Sequence, residues 1–262
     1  MIREWNGKWA LITGASAGIG KALAVELARG GTNLVLTARR RDRLEALARE
    51  LAGTYGVKTQ IVAADLTEAT APEELFRYVQ DKGIQVELLV NNAGFGQYGE
   101  LHTVEPSRLL EMVQVNCSAV LHLTRLFLPE MVARRSGDVL IVASTASFQA
   151  VPYISTYSAT KVFDLFLAEG LAEEMKQYGV RVSALCPGTT ESEFHELAGH
   201  PSHAKGREQT AETVARNGLK ALAAGKSYVI SGLGNYLGAH GQRLLPRRFV
   251  TGVAAKLFRP KY

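Results

Sequence analysis

Seven short runs rich in β-branched and aliphatic residues alternate with longer segments of helical period, and this alternation constrains the fold more than any other feature. The runs are Trp9–Thr13, Leu34–Thr37, Lys58–Ala63, Leu88–Asn91, Asp138–Ala143, Arg181–Cys186 and Ser227–Ile230. Parallel neighbours need a crossover between them, so the pattern implies an α/β architecture, a doubly wound parallel sheet with helices on both faces. Val86–Val90 and Val139–Ala143 are almost continuously apolar, which suits central strands covered on both sides. No internal repeat, linker or shift of composition marks a second domain, so residues 1–262 read as one domain.

With 47% hydrophobic and 21% charged residues, the chain is neither disordered, collagen-like nor a coiled coil. No apolar run approaches the ~20 residues that span a bilayer, and Met1–Trp9 lacks the apolar core of a signal peptide; a cytoplasmic protein is expected. Cys117 and Cys186 lie far apart without metal-ligand spacing and read as buried thiols. The net charge of +5 comes partly from a basic C-terminal segment, about 240–262, containing Arg243, Arg247, Arg248, Lys256, Arg259 and Lys261. Without interleaved stacking aromatics this is no nucleic-acid footprint. It reads as a packed terminal helix with a solvated basic face, with rest on an anionic membrane left open.

After the first strand, Gly14, Ser16, Ala17, Gly18, Ile19 and Gly20 form a glycine-rich turn leading into a helical segment through Arg29. Strand, glycine turn and helix N-terminus together make a seat for a pyrophosphate, with glycine expected where a Cβ would block the phosphate's approach. The spacing is Gly-x3-Gly-x-Gly rather than Gly-x-Gly-x2-Gly, and alone it is also compatible with a structural turn. At the end of the second strand, where NAD-binding folds carry an acid, stand Arg39 and Arg40. Arginine there can pair with a ribose 2′-phosphate, which points to NADP(H); the ordinary alternative is a solvated basic helix start. Asp65, followed by Leu66, is placed to accept from an adenine amine or to cap the next helix.

Tyr157 and Lys161 stand four apart at the head of a helical segment and so share a face. An adjacent ammonium stabilises a phenolate, so the pair is expected to lower the tyrosine pKa and to act as a proton donor. Ser144, at a strand end, can hydrogen-bond a substrate oxygen.

Taken together, Thr13-Gly14-x3-Gly18-x-Gly20, Asn91-Asn92-Ala93-Gly94, Asn116, Ser144, Tyr157-x3-Lys161 and Pro187-Gly188 resemble the short-chain dehydrogenase/reductase family, in its order and spacing. The resemblance implies a Rossmann-type fold and hydride transfer between NADP(H) and a carbonyl or secondary alcohol. It makes Asn116, Ser144, Tyr157 and Lys161 catalytic, with Asn116 holding a water that relays protons from Lys161. Asn92, Ala93 and Gly94 then border the adenine ribose, and Pro187, Gly188, Thr190 and Ser192 the nicotinamide, Ser192 standing where relatives carry threonine. A catalytically idle cofactor-binding protein on the same fold is the alternative.

By the same resemblance the substrate wall comprises Phe95, Gln97, Tyr98, Ala146, Phe148, Val151 and Tyr153, with a lid at about 189–209. That wall is mostly apolar and holds no lysine or arginine, so a hydrophobic ketone, aldehyde or 3-oxoacyl substrate is expected. His195, His200 and His203 lack the spacing of a metal site. The helix Val162–Met175 is apolar on more than one side, and its surplus face implies a homodimer or homotetramer.

Overall fold

The chain adds strands on one side of its first strand and then crosses back to continue on the other, and that reversal decides where a ligand can sit. The computed structural model describes Ile2, residues 4–191 and residues 208–260. Among these residues, seven parallel strands form one sheet: β1 (Trp9–Thr13), β2 (Asn33–Ala38), β3 (Thr59–Ala63), β4 (Val86–Asn91), β5 (Gly137–Val142), β6 (Val180–Cys186) and β7 (Tyr228–Ile230). Their order is β3-β2-β1-β4-β5-β6-β7, so a crevice opens beyond the carboxyl ends of β1 and β4, as in any Rossmann-type sheet. Strand bounds fall within two residues of those read from the sequence.

Alternate side chains of each central strand supply two separate cores. Ile12, Leu36, Leu88, Val90 and Leu140 meet Leu23 and Leu27 of α1 (Gly18–Arg29), Leu44 of α2 (Arg41–Tyr55) and Leu219 of α7 (Ala211–Ala223). Leu11, Leu89, Val139 and Ile141 meet the opposite layer. It consists of α3 (Ala71–Asp81), α5 (Ala119–Ala133) and α6 (Ser155–Met175), which contribute Leu75, Phe127 and Leu165. Every residue of β4 and β5 is buried, which explains their lack of polar alternation. Fully burying each such leucine or valine contributes roughly 1.5–3 kcal/mol.

Between α4 (Pro106–Val113) and α5, the segment Gln114–Ser118 is π-helical and carries Asn116. At the other end of the sheet, buried Asp138 of β5 accepts from Trp5 Nε1 at 2.7 Å and from both Arg181 Nε and Nη2 at 2.6 and 2.9 Å. This joins the residues before β1 to β5 and β6 through a single carboxylate.

The C-terminal region departs from expectation. Helices α8 (Leu233–Gly241) and α9 (Arg247–Phe258) form, but the apolar side chains of α9 are not packed away. Phe249 and Leu257 are exposed, and only Ala254 of that helix is buried. The expected solvated face is therefore apolar as well as basic. On α6, Leu165 is buried while Phe166 faces outward at 65% exposure, leaving a narrower surplus face than the sequence suggested.

Asp138→Ala strands the Trp5 indole N–H and leaves Arg181 without its bidentate partner, so unfolding free energy should fall by about 2–4 kcal/mol. Urea denaturation measures this; an unchanged midpoint would show that the carboxylate holds nothing that water cannot replace.

Candidate active site

Four strand ends meet at the switch point, and Thr13 ties two of them together. Its hydroxyl donates to Val90 O and accepts from the backbone amides of Asn92 and Ala93, both at 2.9 Å. Asn92 Nδ2 returns a bond to Thr13 O at 2.8 Å. The glycine turn lies directly on this knot. A Cβ on Gly14 would come within 2.8–2.9 Å of Asn92 Nδ2 and Ala93 Cα, and one on Gly20 would overlap the Gly14 carbonyl. Glycine is thus required at both positions for packing of the chain against itself, whatever the approach of a phosphate also demands. Gly18 has a left-handed φ of 52°. Ser16 and Ala17 border a cavity of about 440 Å³ between the turn and α2, which also takes in Lys21 and Arg43, neither of which the sequence assigned to the cofactor. Ile19 packs partly against the core on the α1 side of the sheet, while Leu66 is buried in the core on the opposite side and can offer a ligand only its backbone.

Arg39 lies 4.0 Å from Asp65, the arginine exposed and the aspartate half-buried. Arg40 Nη2 donates to Ser16 Oγ at 3.2 Å, which brings it over the glycine turn itself. Asp65 accepts from the amide and hydroxyl of Thr67 at 3.1 and 2.9 Å. It therefore closes a local turn and does not cap α3, whose N-cap is Thr70.

The residues expected to move the proton come together from the exit of β5 and the head of α6. Ser144 stands at the exit of β5 and opens the short helical turn Thr145–Phe148, its Oγ accepting from Ala146 N at 3.1 Å. Tyr157 and Lys161 lie on the first turns of α6, and the Tyr157 hydroxyl is hydrogen-bonded to Ser144. Lys161 Nζ sits 5.9 Å from the Tyr157 ring centre. It donates to Val142 O at 2.8 Å and to Asp164 Oδ2 at 2.9 Å. Asp164 is fully buried, and its other oxygen lacks a hydrogen-bond partner among the described residues. The sequence reading missed Asp164, although a single acid three residues after Lys161 within Val162–Leu167 was a visible anomaly.

Burial opposes the Lys161 ammonium, but attraction by Asp164 and Tyr157 outweighs it, and the lysine pKa lies above its ordinary value. Tyr157 goes the other way from expectation. Burial raises the phenol above its usual 10, and Lys161 and Ser144 only partly offset this. The balance favours the neutral phenol over the phenolate.

Asn116 accepts from Phe95 N at 3.1 Å and donates to Phe95 O at 2.9 Å and to Thr160 Oγ1 at 3.0 Å. It braces the loop after β4 against the residue preceding Lys161. A Cβ on Gly94 would meet Asn116 Oδ1 at 3.1 Å and Lys161 Nζ at 3.4 Å, so glycine keeps this floor open. Pro187 O accepts from Thr145 N at 2.8 Å, tying the end of β6 to the Ser144 turn. Gly188 packs on Asn235, and Thr190 Oγ1 donates to Gly188 O at 3.0 Å. Thr189 and Glu191 pair with Gln209, while Ser192, the three histidines and most of the segment 189–209 lie outside the described residues.

A second cavity of about 390 Å³ is bordered by Gln97, Tyr153, Leu101, Leu109 and Glu100. Val151 is buried beside it in sequence, and Phe148 packs against Tyr228 and His240. The wall is not free of cations, as the sequence suggested: the Arg108 guanidinium lies 3.9 Å from the Phe95 ring centre, and Arg259 Nε donates to Tyr153 Oη at 3.3 Å. Tyr98 Oη donates to Phe258 O at 2.7 Å. Tyr153 holds a left-handed φ of 67°, a conformation costing about 1–3 kcal/mol, and its carbonyl accepts from Gly99 N at 2.9 Å.

A neutral phenol, a hydroxyl and a fixed ammonium beside a crevice with the form of a dinucleotide seat define the class of nicotinamide-dependent oxidoreductases. The sequence profile of the short chain dehydrogenase family matches residues 8–201, and the chain belongs to that family. It is 35% identical over 192 residues to the very-long-chain 3-oxoacyl-CoA reductase of Bos taurus, covering 71% of this chain and 60% of that one. The match thus spans less than two thirds of that relative. Among solved structures, a short-chain dehydrogenase from Sphingobium yanoikuyae in complex with NADPH superposes with a TM-score of 0.83 at 28% identity, over 97% of this chain and 98% of the other. A 7β-hydroxysteroid dehydrogenase gives a TM-score of 0.88 at 28% identity over the same shares.

Subtracting the phenolate absorbance of Tyr157→Phe from that of the wild type, without cofactor, should show no ionisation step up to pH 10, since burial holds the phenol above that value. A step between roughly pH 7 and 9 would mean that Lys161 prevails over desolvation.

Proposed function

We propose that this protein is an NADPH-dependent reductase of apolar carbonyl compounds, with ketones and 3-oxoacyl chains as the substrate class. The observation that carries the reading is the Tyr157 hydroxyl, hydrogen-bonded to Ser144 and backed by Lys161. When bound, NADPH supplies the hydride to the carbonyl carbon. Tyr157 gives its proton to the developing alkoxide, for which its neutral state is the competent one. Ser144 donates to the same oxygen and fixes its position. Lys161, held charged by Asp164, faces the floor opened by Gly94, where its remaining donor capacity suits ribose hydroxyls. Asn116 keeps Phe95 and Thr160, and with them the loop and the lysine, in register.

The cofactor reading rests on the basic groups around the glycine turn. Arg39, Arg40, Lys21 and Arg43 offer a phosphate several donors, and the Sphingobium yanoikuyae neighbour is an NADPH complex. The substrate reading is supported by Leu101, Val104 and Leu109 on the cavity wall and by the bovine 3-oxoacyl-CoA reductase likeness. Exposed Phe166, Leu110 and Leu121 support a homo-oligomer formed through the α4–α6 side. A cytoplasmic setting is supported by two unpaired thiols, with burial pushing Cys117 up to about 11 and Cys186 also upward. No helix among the described residues is long and apolar enough to cross a membrane.

Tyr157→Phe should lower turnover about 10²–10⁴-fold in an NADPH-oxidation assay across aliphatic ketones, steroids and 3-oxoacyl thioesters, with NADPH affinity nearly intact. Retained activity would remove Tyr157 from the proton-donor role. Fluorescence titration should give NADPH at least about a tenfold advantage over NADH, as charge-assisted bonds of roughly 1.5–3 kcal/mol require. Equal affinities, or a preference untouched by Arg39→Ala and Arg40→Ala together, would take the arginines out of phosphate recognition.

A further inference from the structure

The C-terminal helices carry an apolar and a cationic surface that the proposed reaction does not use. On α8, Leu233 and Leu237 point outward; Leu244, in the turn that follows, is 89% exposed. On α9, Phe249, Val253 and Leu257 recur at intervals of four, so they share one exposed stripe. Arg243, Arg247, Arg248, Lys256 and Arg259, all exposed, surround it. The last acidic residue in the sequence is Glu212. From Leu233 onward there are six Lys and Arg and no Asp or Glu, against a net +5 for the whole chain, so the rest of the protein is nearly neutral.

We propose that α8, the Gln242–Leu245 turn and α9 form a docking face for an anionic membrane surface, lying in the plane of the headgroups without spanning the bilayer. The combination fits that occupant in both of its chemistries. Leucine and phenylalanine tips enter the boundary between headgroups and acyl chains, while arginine and lysine flank them at the depth of the phosphates. Each basic residue near such a surface adds about fivefold to partitioning, so five exposed ones are significant without a second anchor. A second copy of the chain fits less well. A two-fold contact through this face would bring together two sets of cations with no acidic residue from Leu233 onward on either side to offset them.

The face is also joined to the cleft. Gln242 Nε2 donates to Phe148 O at 2.9 Å, Tyr98 Oη donates to Phe258 O at 2.7 Å, and Arg259 reaches Tyr153. A docked protein would therefore present the wall of its cleft close to the acyl phase. The docking itself does not depend on which substrate is reduced.

Sedimentation of the full chain with phosphatidylcholine vesicles, with and without phosphatidylglycerol, tests the proposal. Partitioning onto the anionic vesicles should exceed that onto neutral ones by at least about tenfold and weaken in high salt. Leu244→Ser with Phe249→Ser, and separately Arg247→Glu with Arg248→Glu, should each lower it by about tenfold or more with unchanged thermal melting and ketone reduction. The two pairs test different interactions, so loss of fold in one leaves the other to decide. Failure to sediment with anionic vesicles, equal binding to neutral ones, or indifference to both pairs would overturn the proposal. So would light scattering that shows an oligomer dissolved by Leu244→Ser with Phe249→Ser, since the face would then belong to a second copy.

Discussion

A lysine with only 5% of its surface exposed governs the organisation around the cleft. Lys161 cannot stay charged beneath β5 unless neighbouring groups replace its lost water, and two do so: the Val142 carbonyl and the Asp164 carboxylate. Each replacement fixes something else. The carbonyl bond locks the head of α6 to the end of β5, where Ser144 follows, so the hydroxyl and the phenol are brought together by the same contact that solvates the lysine. The carboxylate keeps the positive charge in place against desolvation. It also raises the Tyr157 phenol, reinforcing a resting state in which the proton is on the tyrosine.

The second fixed point is the knot at Thr13. One hydroxyl bridges β1 and the loop after β4 across 79 residues of sequence, and the glycines of the turn are the residues that let the backbone close over it. A crevice at a switch point is a topological necessity in such a sheet. The knot gives the crevice a defined floor, and the bond from Asn116 to Phe95 continues that floor toward Lys161.

Much of this was legible in the sequence because the signals were local. Strands β4 and β5 announce themselves by continuous apolar runs, and Tyr157 and Lys161 by a spacing that means one face of a helix. Legibility ended where an outcome depended on groups distant in sequence. The direction of the Tyr157 shift is set by burial under elements from several parts of the chain, which no spacing encodes. The Arg108 stack on Phe95 and the Arg40 bond to Ser16 join separate elements, so neither could be read from a motif. Asp65 was ambiguous for a different reason. A carboxylate two residues before a threonine satisfies a turn as readily as a helix start, and here the turn prevails. The terminal helix was read as packed because amphipathic period alone does not say whether a partner layer exists to receive the apolar stripe.

The π-helical segment Gln114–Ser118 has a geometric consequence for the rod made by α4 and α5. A π turn holds about one residue more than an α turn, which shifts the side chains beyond it by about 100° around the axis. Residues before the slip serve the cleft: Leu109 borders the cavity and Arg108 covers Phe95. Residues after it serve the interior: Leu123, Phe127 and Met131 fill the core against the sheet. One nearly continuous helix thus has two independent phases, and a substitution that changes the cleft half need not disturb how the core half is clocked. Asn116 sits at the joint, where the helical ladder is already interrupted and a polar side chain can turn inward to hold a neighbouring loop.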